Sequence, residues 1–293
     1  MRQQLEEFIR NVIIIQTTLT GDKKSKISLY NDQCLRSLDD EGLKQIIYEW
    51  IIEYAYNEFD ITAKDLNVLH RNALVSKLKY NHEASDETKE KYWFYGEILL
   101  DCVLKVLFWT SALISRGYFY NPLENGETKW FDCYHLIESQ ENLYLYYGET
   151  KFYANTKKWI KSVLDKIETS LSDAYLSTNM IALINHKDKI MSNTIADILS
   201  CWENEAINLV ESLRDNNIIL VYPIFIIGNY IKQNYDDNIQ EQLQYIESLL
   251  PIPKNFSLSI SYKIFFIFLP VQNTKDIKQT IIQWIKESKP LEL

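Results

Sequence analysis

Asp132, Glu149 and Lys151 are the residues whose types and spacing could do chemistry, and that chemistry is metal-assisted phosphodiester hydrolysis. Ser139-Gln140-Glu141-Asn142 is a polar break between two strand-like runs, Trp130–Glu138 and Asn142–Tyr153, and reads as a hairpin turn. With Gln140 and Glu141 as the loop residues, paired positions sum to 281, which sets Asp132 opposite Glu149. Their Cβ atoms would then lie ~4.5–5.5 Å apart, and Lys151, two residues on, would share the face. Facing like charges destabilise a sheet. A hard divalent cation, Mg²⁺ or Mn²⁺, removes that cost by taking carboxylate oxygens. Such an ion can polarise a phosphoryl oxygen and acidify a bound water, with Lys151 orienting that water or stabilising developing charge. Gly148 offers a close backbone approach or a bulge. A Glu-x-Lys standing alone reads equally as a solvated strand face or a cross-strand ion pair.

These residues need elements to hold them. Residues 1–85 read as a smaller α/β unit, a candidate partner-binding region. It has short strands over Phe8–Thr17 and Lys26–Tyr30, a helix from the Asp39-Asp40 cap to Tyr56, and a second helix over Asp65–Lys79. From Asp86 the pattern changes, and 86–293 reads as a nuclease-like domain. A long helix runs to about Ser115, closed by Arg116-Gly117. A loop with Asn121-Pro122 and Asn125-Gly126 leads into the hairpin. A helix over Thr156–Ser172, a strand over Met180–His186, a helix over Asp188–Asn216, a strand over Ile218–Ile227, a helix over Asn238–Leu250, a strand over Leu258–Leu269 and a terminal helix over Thr274–Ser288 follow. That order predicts an α/β fold, a mixed central sheet with helices packed on it.

The pattern of an Asp followed by Glu-x-Lys on the next antiparallel strand resembles the PD-(D/E)XK nuclease superfamily, with a restriction-endonuclease-like core. The motifs stand here as Trp130-Phe131-Asp132, without a preceding Pro, and Gly148-Glu149-Thr150-Lys151. Many members add a Glu from the preceding helix, and Gly96-Glu97 fits. Gly96-Glu97-Ile98-Leu99-Leu100, Asp132-Cys133-Tyr134-His135 and Tyr147-Gly148-Glu149-Thr150-Lys151-Phe152-Tyr153 together resemble one branch, the HamA-like nuclease subunit of the Hachiman antiphage defence system, over roughly residues 90–290. The resemblance implies a DNA endonuclease effector with Glu97, Asp132, Glu149 and Lys151 catalytic and the three carboxylates holding Mg²⁺ or Mn²⁺. It also implies a superfamily 2 DNA helicase partner (HamB-like) that restrains and delivers the nuclease. His135 and Tyr153 are further site candidates; a satisfied structural His and a packing Tyr are the plainer readings.

The net charge of −9 excludes binding nucleic acid through the overall field, because that requires Lys and Arg to displace counterions. DNA contact therefore needs a local patch or a partner's grip. Lys157, Lys158 and Lys161 on the helix after the hairpin are the DNA-binding candidates. His70, Arg71, Lys77 and Lys79 form a second basic cluster, and a solvated helix face is the bland reading of both. Cys34, Cys102, Cys133 and Cys201 form no CxxC pair, and Met1 opens no signal-like leader, which predicts a reducing, cytoplasmic setting. The apolar stretches Ile98–Ile114 and Phe256–Leu269 are interrupted by charge and too short to span a bilayer, and read as a buried helix and a buried strand. No Walker A loop, dinucleotide-binding turn or nucleophile elbow is present, so any ATP-driven step belongs to a partner. A repair or restriction nuclease of the same fold, and a catalytically inactive scaffold that binds a helicase, remain the alternatives.

Overall fold

The structure is a computed structural model and describes residues 2–56, 61, 65–115, 131–139, 142–184, 186–204, 208–230, 234–249 and 256–293. The Arg116-Gly117 cap, the 121–126 loop, Trp130 and the Gln140-Glu141 turn lie outside the described residues.

The chain opens with α1 (Gln3–Val12), β1 (Ile13–Leu19), β2 (Asp32–Ser37), α2 (Asp40–Glu49), α3 (Ile51–Ala55) and α4 (Leu66–Asn72). Then come α5 (Asp86–Glu90), α6 (Phe94–Leu107), β3 (Ser111–Ala112), β4 (His135–Glu138), β5 (Leu143–Tyr146) and β6 (Glu149–Phe152). The remainder is α7 (Thr156–Ser170), α8 (Asp173–Ile184), α9 (Asn193–Asn204), α10 (Leu209–Asp215), β7 (Ile218–Asn229), α11 (Tyr235–Leu249), β8 (Tyr262–Val271) and α12 (Thr274–Glu287). One mixed sheet runs β1-β2-β8-β7-β5-β4-β3, with β6 also on β7. β2–β8, β8–β7, β7–β5 and β7–β6 are parallel; β1–β2, β5–β4 and β4–β3 are antiparallel.

β7 and β8 are central and apolar along nearly their whole length, as strands covered on both faces must be. Their side chains alternate between two cores. Phe225, Ile227, Phe265 and Ile267 pack with α1, α2, α3, α6 and α12, whereas Ile224, Ile226, Ile264 and Phe266 pack with α7, α8, α9, α10 and α11. The N-terminal strands extend the same sheet, through β2 on β8.

Four local readings change. Leu5, Ile9 and Val12 recur at helical spacing and are buried, so the strand expected from Phe8 begins only at Ile13. No strand forms over Lys26–Tyr30. The Asp32 carboxylate accepts from Ser25 N, Ser28 Oγ and Phe266 N, and those side-chain bonds tie the segment into turns. In place of the strand expected over Met180–His186, Met180–Ile184 is the second half of α8, and Leu176, Asn179, Met180 and Leu183 make one buried helical stripe. The helix expected to reach Ser115 ends at Leu107; Trp109 has positive φ, and β3 follows. The apolar 98–114 and 256–269 stretches are largely α6 and β8, and among the described residues no helix is long and apolar enough to cross a membrane.

His70 does not belong to a basic surface. It is buried against the Tyr48 ring, with Nε2 bonded to the Tyr48 carbonyl oxygen, and burial pulls its pKa down to about 4. The folded state therefore binds this proton more weakly than the unfolded chain. The stability that results is full above pH ~6.5 and is lost as pH falls toward 4, on the order of 3 kcal/mol. His70→Gln should flatten the drop in urea midpoint between pH 7 and pH 4.5; an equally steep drop would place the acid sensitivity elsewhere.

Candidate active site

The hairpin register is as the sequence predicts: His135 faces Tyr146 and Glu138 faces Leu143, pairs that sum to 281. The ladder stops at that point, so Asp132 and Glu149 are not a ladder pair. Asp132 lies before β4, and its N–H donates to Gly148 O (2.8 Å). β5 and β6 keep one register on β7, since Tyr146 faces Val221 and Glu149 faces Ile224. The gap at Tyr147-Gly148 sits opposite Tyr222-Pro223, and Pro223 has no N–H to give the ladder. A Cβ on Gly148 would lie 2.6 Å from Pro223 O and 2.7 Å from its ring, so only glycine lets the chain pass. Gly148→Ala should cost about 1–3 kcal/mol through the forced backbone shift. Thermal melts check the size, and an undisturbed melting temperature would mean that the break is pliable.

Beyond the break β4 no longer pairs, and among the described residues the outer edge of β6 has no strand partner. The Asp132 carboxylate fills part of that edge by accepting from Thr150 N (2.7 Å). Glu149 and Lys151 are in register with Ile224 and Ile226, whose side chains point to the α7 layer. Thr150 and Phe152 face α6, which approaches so closely that a Cβ on Gly96 would lie 3.1–3.2 Å from them. Glu97, next along α6, is buried and accepts from Tyr54 Oη. Glu97 thus comes from the layer opposite Glu149. A cavity of about 70 Å³ at this edge is lined by Glu97, Asp132, Thr150, Lys151, Tyr153 and Lys278, among others.

Glu149 and Lys151 form an ion pair. Burial, reinforced by the negative field of Asp132, holds the Glu149 carboxyl up at about 7, with Lys151 pulling the other way. Burial alone would lower the Lys151 pKa, but Glu149 and Asp132 outweigh it and the ammonium is held above its ordinary value. Around Glu149 and Asp132, negative charge therefore outweighs what Lys151 supplies. Thr150 Oγ1, which lines the cavity, is buried without a hydrogen-bond partner among the described residues. The donor set of Asp132 and Glu149 suits a hydrated hard cation, since Mg²⁺ keeps several waters and needs only one or two carboxylates. Among the described residues, no group of three His, Cys, Asp or Glu side chains is arranged to hold a metal ion.

Residues 5–285 match the HamA family. The chain belongs to that family. As a HamA-family protein it is a component of the Hachiman antiphage defence system, a system of more than one component. No curated protein matches the chain significantly.

The other sequence candidates of this HamA-family chain sit as follows. His135 is fully occupied away from the cavity: Nε2 bonds Asp101 Oδ1 and Nδ1 bonds Thr110 Oγ1, both at 2.8 Å. Tyr153 lines the cavity and stacks on Trp159, ring centroids 4.0 Å apart. Lys157 pairs with Glu241 and Lys161 with Asp165, which removes much of the field expected from that patch, while Lys158 lies over the Trp159 ring. Lys278 and Thr150 were not singled out by the sequence. Lys278 carried a signal, because it falls on the buried stripe Thr274, Ile277, Lys278, Ile281, Ile282, Ile285 of α12, where a solvated lysine does not belong.

Proposed function

We propose that this chain is the metal-dependent DNA nuclease effector of its Hachiman system, with a PD-(D/E)XK catalytic core in 86–293. In this reading it acts in the cytoplasm and is restrained and delivered by a superfamily 2 DNA helicase, with 1–85 as a partner-binding unit. One observation carries the reading: two carboxylates and a lysine converge at the open edge of β6, and the proton on Glu149 is held to about 7. Two buried carboxylates close together are costly when both are ionised, and a divalent cation relieves that cost.

When bound at Asp132 and Glu149, Mg²⁺ or Mn²⁺ supplies a Lewis acid and an acidified water. The protein's own groups do the rest. Asp132 is fixed by the Thr150 N–H, so its second oxygen keeps one orientation. Glu149 loses its proton near neutral pH and then holds positive charge. Lys151 orients the attacking water or stabilises charge building on the phosphoryl oxygens. Glu97, on the far layer, orders the cleft through Tyr54. The acidic total charge and the neutralised Lys157 and Lys161 favour delivery by a partner over unaided capture of DNA.

Plasmid digestion with Mg²⁺, with Mn²⁺ and with a chelator, for the chain alone and beside its helicase, tests the reading. Cleavage that needs the metal supports it. Silence in every arm, helicase included, would make the chain a scaffold.

A further inference from the structure

We propose that Lys278, from the C-terminal helix α12, is a second cationic group of the cleft and binds a phosphate oxyanion there. The strand that would carry the phosphate rests on the nuclease reading; the anion site itself does not.

Lys278 is buried, 6% exposed, and its Nζ donates to Glu90 O (3.1 Å) and Phe152 O (2.9 Å). An ammonium has three donors, so these carbonyls leave one. The rings of Tyr95, Phe152 and Tyr153 surround it, with centroids 5.6, 5.0 and 4.8 Å away. Among the described residues it has no ion-pair partner. Buried Lys44, by contrast, sits between Glu41 and Asp276. Buried Lys89 also lacks a carboxylate there, but it bonds the His82 carbonyl and does not line the cavity. Lys278 does line it, together with Lys151, the Asp132 and Glu97 carboxylates, and the Thr150 hydroxyl, which has no hydrogen-bond partner among the described residues.

An ammonium buried among rings with no direct ion-pair partner among the described residues is costly, and an anion that joins it lowers that cost. Burial pulls its pKa to about 8, with Glu90 as the charge that opposes the fall. Phosphate oxygens are the matching ligand, since they accept the third hydrogen bond and carry negative charge. Trp93, 47% exposed on the cavity lining, offers a ring for a base beside that phosphate. Lys278 also reaches the backbone of β6 directly at Phe152, one residue beyond Lys151. A phosphate held by Lys278 would therefore lie in the cavity that Asp132 and Lys151 also line.

The test uses the full chain labelled with ¹⁵N-lysine, in chelator so that nothing is cut. The Lys278 Nζ signal is assigned by its loss in Lys278→Met, or in Lys278→Arg where the Met variant does not fold. Inorganic pyrophosphate should shift that signal and raise its apparent pKa. A labelled single-stranded oligonucleotide should bind Lys278→Met about tenfold more weakly, with a salt slope lower by about one. A signal moved by pyrophosphate, with oligonucleotide binding indifferent to the substitution, keeps the anion site and removes the strand as its ligand. A Lys278 signal unmoved by pyrophosphate overturns the proposal, and Lys278 is then only a staple between α12, α5 and β6. Plasmid cleavage fails or succeeds independently of that signal, so the nuclease reading and this site are separately judged.

Discussion

Glu149→Gln should abolish metal-dependent DNA cleavage, by on the order of a thousandfold, while leaving the protein at pH 8 as stable as wild type or more so. The activity loss follows from removing one of the two carboxylates available to a cation at the edge of β6. The stability gain follows from proton linkage. In the folded chain Glu149 holds its proton to about 7, against an ordinary value of 4.5. A carboxyl whose folded pKa is raised contributes its full stability below pH ~4.5, and that contribution is lost as pH rises through ~7. At pH 8 the wild type carries an ionised Glu149 beside Asp132. Glutamine keeps the shape and an acceptor for Lys151, and it leaves Lys151 to balance Asp132 alone. The melting temperatures of the two proteins should therefore coincide near pH 5 and separate toward pH 8, with the variant higher by about 2 °C for each kcal/mol released. Added Mg²⁺ should close the gap by stabilising only the wild type. A variant that melts several degrees lower at pH 8 would make the Glu149–Lys151 pair a structural ion pair and would sink the catalytic reading.

The register of the hairpin was legible because side-chain alternation and a polar turn fix it, and 135–146 pair as arithmetic requires. What lay beyond sequence reach was the cause of the departure from that ladder. Pro223 sits some seventy residues downstream and interrupts β5–β6 only because β7 is placed against it. The two-faced character of the site was hidden for the same reason: Glu97 and Glu149 seem alike as nearby acids, and only packing shows that they come from opposite layers. Local period failed where apolar runs were short. Met180–His186 looks like a strand until the window reaches back to Leu176, and Phe8 looks like one until Leu5 is counted. Lys278 went unnoticed because a lysine on an amphipathic helix is usually solvent-facing; its place on the apolar stripe was the available clue.

Asp101→Ala should produce the largest loss of stability of any single change near the cleft, about 3–5 kcal/mol, because it strands several buried partners at once. One carboxylate oxygen accepts from His135 Nε2 (2.8 Å); the other accepts from Trp50 Nε1 (2.6 Å) and lies 3.2 Å from Lys105 Nζ. Burial alone would raise the Asp101 pKa, but Lys105 and His135 overcome it and hold the carboxyl at about 2, so it is ionised at any working pH. With Nε2–H given to Asp101, His135 Nδ1 accepts from Thr110, and burial holds the ring's pKa below its ordinary value. The network therefore ties the junction of α2 and α3 at Trp50, α6, the segment before β3, and β4 together. Asp101 stands one turn after Glu97 on α6, so the same bonds set the rotation that presents Glu97 and Gly96 to β6. His135→Ala and Asp101→Ala should be strongly non-additive in a double-mutant cycle, since each removes the other's partner. Asp101→Asn, which keeps acceptance from Trp50 or His135 but not the charge, should fall between wild type and alanine in urea unfolding. Additive losses, or an alanine variant within about 1 kcal/mol of wild type, would show that packing of α6 on β6 through Gly96 orients the cleft without this network.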